Sequence, residues 1–217
     1  MKNSSEHRWG ARDLSLIAMF AAFLVVVSVV PPIQIGNMLS VPLTLQTLVI
    51  TLTGLLLGAG RASAAVGLYV VLGLLGLPVF AGFRGGIAVL AGPSAGYLLS
   101  FVLVAAVIGA VASFGLRHSR SQAALGSWFG LAALTGLLLN HAVGIVGMMI
   151  NGRLSPEAAI AADIVFIPGD LVKAALAVLI ALSLHRAFPA LPARIPRRGA
   201  DRGANRAEHT QSAESRV

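Results

Sequence analysis

The chain has 217 residues, 57% of them hydrophobic and 11% charged, with 16 Lys and Arg against 8 Asp and Glu and no cysteine. A folded surface in water needs about a quarter of its residues charged, so this composition excludes a soluble globule and describes one polytopic membrane domain with a hydrophilic tail. Without cysteine, a disulfide framework, a thiolate metal site and a Cys nucleophile are all excluded.

Residues 1–13 carry Lys2, Arg8 and Arg12 and are expected to form a short cytoplasmic segment. Residues 14–30, LSLIAMFAAFLVVVSVV, are apolar throughout and stop at Pro31-Pro32. This run resembles a signal peptide, yet it is longer than a typical signal core and no small-x-small site precedes the prolines, which predicts an uncleaved first helix. Further apolar runs cover 43–58, 62–77, 94–115, 124–150 and 170–187, with breaks at Arg61, over 78–93, at Arg117-His118-Ser119-Arg120 and over 151–168. An all-α domain of six membrane spans is therefore predicted over 14–187. The polar, Pro/Gly/Arg-rich remainder, 188–217, is expected to be a disordered cytoplasmic tail. Several runs are nearer 16 than 20 residues. At about 1.5 Å per residue they barely cross about 30 Å of hydrocarbon, so some thinning or protein-lined ends are expected.

Orientation follows from the loop charges. With both termini inside, the inner side collects Lys2, Arg8, Arg12, Arg61, Arg117, Arg120 and the seven arginines from Arg186 to Arg216, while the outer loops hold only Arg84 and Arg153. The same placement accounts for the sequence pI near 11.5. The arginines sit where anionic lipid is the ordinary partner, and the tail has no aromatic after Phe188 to interleave with its charges. A nucleic-acid partner is not expected.

An ionisable residue at membrane depth is costly, about 2.5–3.5 kcal/mol on insertion scales, and marks function by default. One pair qualifies. In FIPGDLVKAALA, Asp170 and Lys173 lie three apart, on one helix face, just after Pro168-Gly169. Asp170 near the helix start also sits where the macrodipole favours an anion. The sixth span runs from outside to inside, which places the pair in the outer half of the membrane. Thr44 and Gln46 at the start of the second span, Arg84 in the Gly-rich 78–93 segment, Tyr97 at the start of the fourth span and Asn140-His141 in the fifth reach the same level. These residues predict an externally open pocket for a small polar molecule, closed by the first outer loop and the 78–93 segment.

Competing motifs carry less. Gly92-Pro93-Ser94-Ala95-Gly96 matches G-x-S-x-G, but a nucleophile elbow needs a strand before it; Ser94 is expected instead as a helix N-cap after Pro93. His141 has no carboxylate near it on its own helix and is expected as a hydrogen-bonded core histidine rather than a metal ligand. No phosphate-binding glycine loop is present, so the chain does not hydrolyse ATP by itself. Ala18 and Ala22 give the first span a face of small residues, as Gly54 and Gly58 do for the second, suited to close packing within or between chains.

VPLTLQTL after a first span, GLYVVLGLLGLPVFAGFRGGIAVLAGPSAGYLLSF in the middle and IPGDLVKAALA near the end, in this order, resemble the BioY family, the biotin-specific substrate-binding (S) components of energy-coupling factor (ECF) transporters. The resemblance covers about residues 12–187. It implies the six-helix S-component fold in a bacterial inner membrane, biotin as substrate with no cofactor, no enzymatic activity, and two partners, a transmembrane T subunit and an ABC-type ATPase. It further implies that Asp170 and Lys173 are the family's Asp-x-x-Lys ligand pair, with Thr44 and Gln46 in its first-loop motif and Tyr97 in the block around the fourth span. Ala18 and Ala22 match an alanine face that docks the T subunit, although Leu14 and Val26 stand where a third alanine would continue it. Asp170 could accept from the ureido N–H groups of biotin, and its carboxylate needs a cation, either Lys173 or Arg84. A secondary transporter working alone and a hydrolase using Ser94 are the alternatives of other classes.

Overall fold

The computed structural model describes residues 9–30 and 44–188. The first outer loop, expected to close the pocket, and the basic tail lie outside the described residues. Among those described there is no β-strand. Seven α-helices follow one another: α1 (Ala11–Val29), α2 (Gln46–Leu57), α3 (Ala59–Leu74), α4 (Ala95–His118), α5 (Gln122–Asn151), α6 (Pro156–Asp163) and α7 (Ile167–Ala187), with a 3-10 turn over Ile87–Ala91. Helices α1, α4, α5 and α7 are long and apolar enough to cross a membrane.

Helices α2 and α3, with 12 and 16 residues, rise only about 18 and 24 Å. For α2 the reason is its position. It is apolar around its whole circumference, is buried along nearly its full length, and packs against α1, α3, α4, α5 and α7. A helix enclosed by protein has no lipid thickness to match. The core around it contains Leu24, Ile50, Leu55, Tyr69, Ile108 and Phe129, all nearly or completely buried. Tyr69 carries its hydroxyl into this core, where it receives a hydrogen bond from Gln46 Nε2 at 2.6 Å and shares one with Ser28 Oγ at 3.0 Å. One phenol thereby joins α1, α2 and α3.

Several expected boundaries move. Helix α1 begins at Ala11 rather than residue 14, its start held by Asp13 Oδ2, which accepts from Gly10 N at 3.0 Å. The break expected at Arg61 falls at Gly58, whose φ of 74° suits a residue without Cβ. The Gly58 N–H closes α2 on Gly54 O, and its carbonyl receives Ala62 N to open α3. Gly58 is therefore a corner as well as a close contact, since a Cβ on Gly109 of α4 would stand 2.5 Å from its carbonyl carbon, while Gly54 packs against Ile108 of the same helix. Arg61 sits in the first turn of α3, donating to Leu57 O at 2.9 Å and reaching Asp13 Oδ1 at 3.4 Å.

The 151–168 break contains helix α6, opened by Ser155 Oγ accepting from Ala158 N, with Pro156 in its first turn. Ser94 precedes α4 but makes no side-chain cap; Ala95 N instead bonds Gly92 O. The 78–93 segment is folded rather than open. Phe80 N donates to Arg84 O at 2.9 Å, Gly86 N donates to Gly73 O at 2.7 Å, and Asn151 Nδ2 at the end of α5 donates to Leu90 O and Gly92 O.

Candidate functional site

A cavity of about 700 Å³, counting its mouth, opens between the starts of α2, α4 and α7, the second half of α5 and the 78–93 segment. Thr44, Gln46, Arg84, Tyr97, Asn140, Asp170 and Lys173 all border it. These seven come from five separate stretches of sequence, and the fold brings them to one space. The walls between them are apolar: Phe80, Val89, Leu98, Phe101 and Phe166. A concave site with a few convergent polar groups on apolar walls suits one small ligand.

The polar floor is built from α7. Asp170 lies in its first turn and Lys173 three residues on, and both are more than nine-tenths buried. Lys173 Nζ donates to Asp170 Oδ1 at 2.5 Å and to the Thr44 carbonyl at 2.8 Å. Thr47 Oγ1 donates to the same Asp170 oxygen at 3.0 Å. Two of the three lysine donors are thus committed to protein acceptors, and the α2 start is tied to the dyad. Thr44 Oγ1 donates to Gln46 Oε1 at 2.9 Å, and the Gln46 amide nitrogen is spent on Tyr69. Gln46 borders the cavity with both ends of its amide engaged.

Arg84 differs. It is exposed at the cavity margin, and among the described residues its only side-chain hydrogen bond runs from Nε to Ala81 O at 3.2 Å, with no acidic partner. Asn140 is buried, its Oδ1 accepting from Ser100 Oγ at 2.9 Å, which leaves the amide N–H₂ as its free donor. The Tyr97 ring faces the cavity while its hydroxyl donates to Asp163 Oδ1 at 2.5 Å.

Asp163 is the residue that sequence reasoning passed over. It ends α6, is 2% exposed, and also faces His141 Nδ1 at 2.7 Å. His141 is a hydrogen-bonded buried histidine as expected, but it stands between two carboxylates supplied by other helices, since its Nε2 lies 3.3 Å from Asp170 Oδ2. The available signal was an acid inside the apolar run AAIAADIVF, set in a segment otherwise taken for a loop. Among the described residues no cluster of His, Asp and Glu is disposed to hold a metal ion.

Comparison with known proteins agrees with this architecture. The model of the BioY family matches residues 1–190. The chain belongs to the BioY family. Its BioY relatives include the biotin transporter BioY of Rhizobium etli, 38% identical over 84% of this chain and 98% of that one, and that of Rhodobacter capsulatus, 40% identical over 82% and 95%. A 2.1 Å crystal structure of the S-component for biotin from an ECF-type ABC transporter superposes on this BioY chain with a TM-score of 0.74 and 29% identity, covering 86% of this chain and 95% of that one. Membership in BioY makes the chain a transporter component and not an enzyme.

Proposed function

We propose that this chain is the biotin-capturing S component of an ECF-type importer. The observation that carries the reading is the buried Asp170–Lys173 dyad bordering an apolar cavity in a BioY fold. Biotin fits this distribution of chemistry as cargo, with no cofactor required. Its ureido ring offers N–H donors to Asp170 and a carbonyl to Lys173 or to the Asn140 amide, and its thiophane ring meets Phe80, Phe101 and Tyr97. Lys173 is occupied by Asp170 and Thr44, so the valerate carboxylate goes to the unpaired guanidinium of Arg84 at the mouth.

Titration of the purified, ligand-stripped chain with biotin in a calorimeter tests this directly; saturable one-to-one binding is expected, and no heat sinks the reading. Arg84→Gln is expected to weaken biotin about 10- to 100-fold, the worth of a charge-assisted hydrogen bond of about 1.5–3 kcal/mol, and to leave the affinity for biotin methyl ester unchanged. An equal loss for acid and ester would return the carboxylate to Lys173.

The fold also supports the six-span, N-in and C-in arrangement in the bacterial inner membrane, with 14–187 as the binding unit and the segments 1–13 and 188–217 on the inner side. At the end of the bundle shared by Ala11, Gly58, His118 and Ala187, the described residues hold Arg12, Arg61, Arg117, Arg120 and Arg186; at the other they hold Arg84, Arg153 and the buried Lys173. That asymmetry favours the arginine-rich end as cytoplasmic. On α1, Ala18 and Ala22 are exposed beside Leu14 and Val26 while Ala21 is buried, so the small face looks away from the bundle and is free to dock a T subunit that carries the ABC-type ATPase. Ala22→Trp is expected to cut co-purification of those subunits severalfold with biotin binding intact; undiminished recovery would remove this face from the interface.

A further inference from the structure

Two carboxylates from different helices are buried against His141, Asp170 of α7 at the cavity and Asp163 of α6 behind it. The charged and titratable groups that face His141 are these two, with Tyr97 of α4 at 6.4 Å between ring centroids and Lys173 on the far side of Asp170. Asp170 Oδ1 is taken by Lys173 and Thr47, and Oδ2 is the oxygen that looks at His141. A neutral imidazole donates from one nitrogen only and would turn a lone pair on one of the two acids. The doubly protonated ring serves both. It also balances the group, two anions against two cations, in a place where an uncompensated charge is costly. His141 Nε2 is buried with no well-angled hydrogen bond, so its hold on Asp170 is one of charge across 3.3 Å.

We infer that His141 and Asp163 are positioning residues for biotin recognition: Asp163 holds the His141 imidazolium, and the imidazolium fixes Asp170 so that its carboxylate is set before the ureido group arrives. Asp163 fixes the Tyr97 wall by the same oxygen, so α6, none of whose residues borders the cavity, governs both the polar and the aromatic contact. Outer support of this kind orients a ligand-reading group without touching the ligand. The inference rests on the assignment of Asp170 to biotin, and its test is built to fail separately.

In the full-length chain, His141→Gln leaves two carboxylates against one cation and is expected to weaken biotin at least tenfold. Asp163→Asn reverses the imbalance and is expected to weaken it severalfold. The double variant His141→Gln/Asp163→Asn restores neutrality without the imidazolium that fixes Asp170, and is expected to bind more tightly than His141→Gln yet severalfold below the unsubstituted chain. A double variant no better than His141→Gln overturns the inference, because side chains that matter only through packing would add their losses. Independently of biotin and of whether the variants fold, the ring nitrogens of ¹⁵N-histidine-labelled chain report the charge state, with the signal assigned by removing the other histidines, His7, His118, His185 and His209. Two protonated nitrogens on His141 are expected at the pH of the binding assay; a neutral ring there overturns the inference even if biotin binds. Absence of biotin binding by the unsubstituted chain, with the imidazolium present, would overturn the assignment of biotin and leave the charge network standing.

Discussion

Replacing Asp170 with Asn is expected to lower biotin affinity at least tenfold while the protein still inserts. The side chain keeps its shape and loses its charge, so three donors that now converge on a carboxylate, Lys173 Nζ, Thr47 Oγ1 and the facing His141 ring, meet a group that carries its own N–H₂. Lys173, 7% exposed, becomes a buried cation with no acid beside it. Removing one partner of a buried pair costs about 3–5 kcal/mol, and this exceeds the hydrogen bond to the ligand itself. Part of the effect therefore falls on stability. Asp170→Asn/Lys173→Met, which removes both charges of the dyad, should recover much of the lost apparent melting temperature without recovering biotin binding. Calorimetry and a thermal melt on the same preparations separate the two, and an Asp170→Asn chain that binds biotin with unchanged affinity would take Asp170 out of the site.

The second large effect lies where α4 and α5 cross. Gly96 and Gly147 meet backbone to backbone, and a Cβ built on Gly147 would stand 2.6 Å from both Cα and N of Gly96. A flexible side chain could yield to such a contact; a helix backbone cannot without parting the two helices. Gly147→Val should therefore cost more than the about 1–3 kcal/mol of ordinary overpacking and appear as a large fall in apparent melting temperature. Because Tyr97 adjoins Gly96 at the crossing, biotin affinity should fall with it. Gly130→Ala on the same helix has nothing within 4 Å of the new Cβ and should be neutral or slightly stabilising, since alanine favours a helix interior by about 1 kcal/mol. Equal melting of the two variants would mean that the crossing is not tight.

The residues that line the cavity were legible in proportion to how unusual they are for their surroundings. Asp170 and Lys173 stand out because charge is costly in an apolar helix, and Arg84 because little else is charged on that side. Asp163 is as deeply buried as either of the dyad, yet it lay in a segment already polar enough to pass for a loop. The Ser155-Pro156-Glu157 start of α6 was the local cue that this segment is helical. Likewise a glycine at position 58 carries the turn that the arginine three residues later seemed to mark, because the backbone needed a positive φ and the arginine needed only a polar helix end.

Composition, apolar run length and charge placement by themselves determined that this is a helical membrane domain with its arginines outside the apolar runs or at their ends and one acid–base pair inside the last of them. Those properties follow from solvation, which acts on each residue according to its own chemistry. Which cation is free was decided only by the tertiary structure. Lys173 and Arg84 are equivalent as letters, and it is the carbonyl of Thr44, brought 129 positions along the chain to Lys173, that commits the lysine and leaves the guanidinium open. The contact between His141 and two acids has the same origin. Hydrogen bonds and ion pairs depend on distances of about 3 Å between groups far apart in sequence, and those distances exist only after the helices have packed.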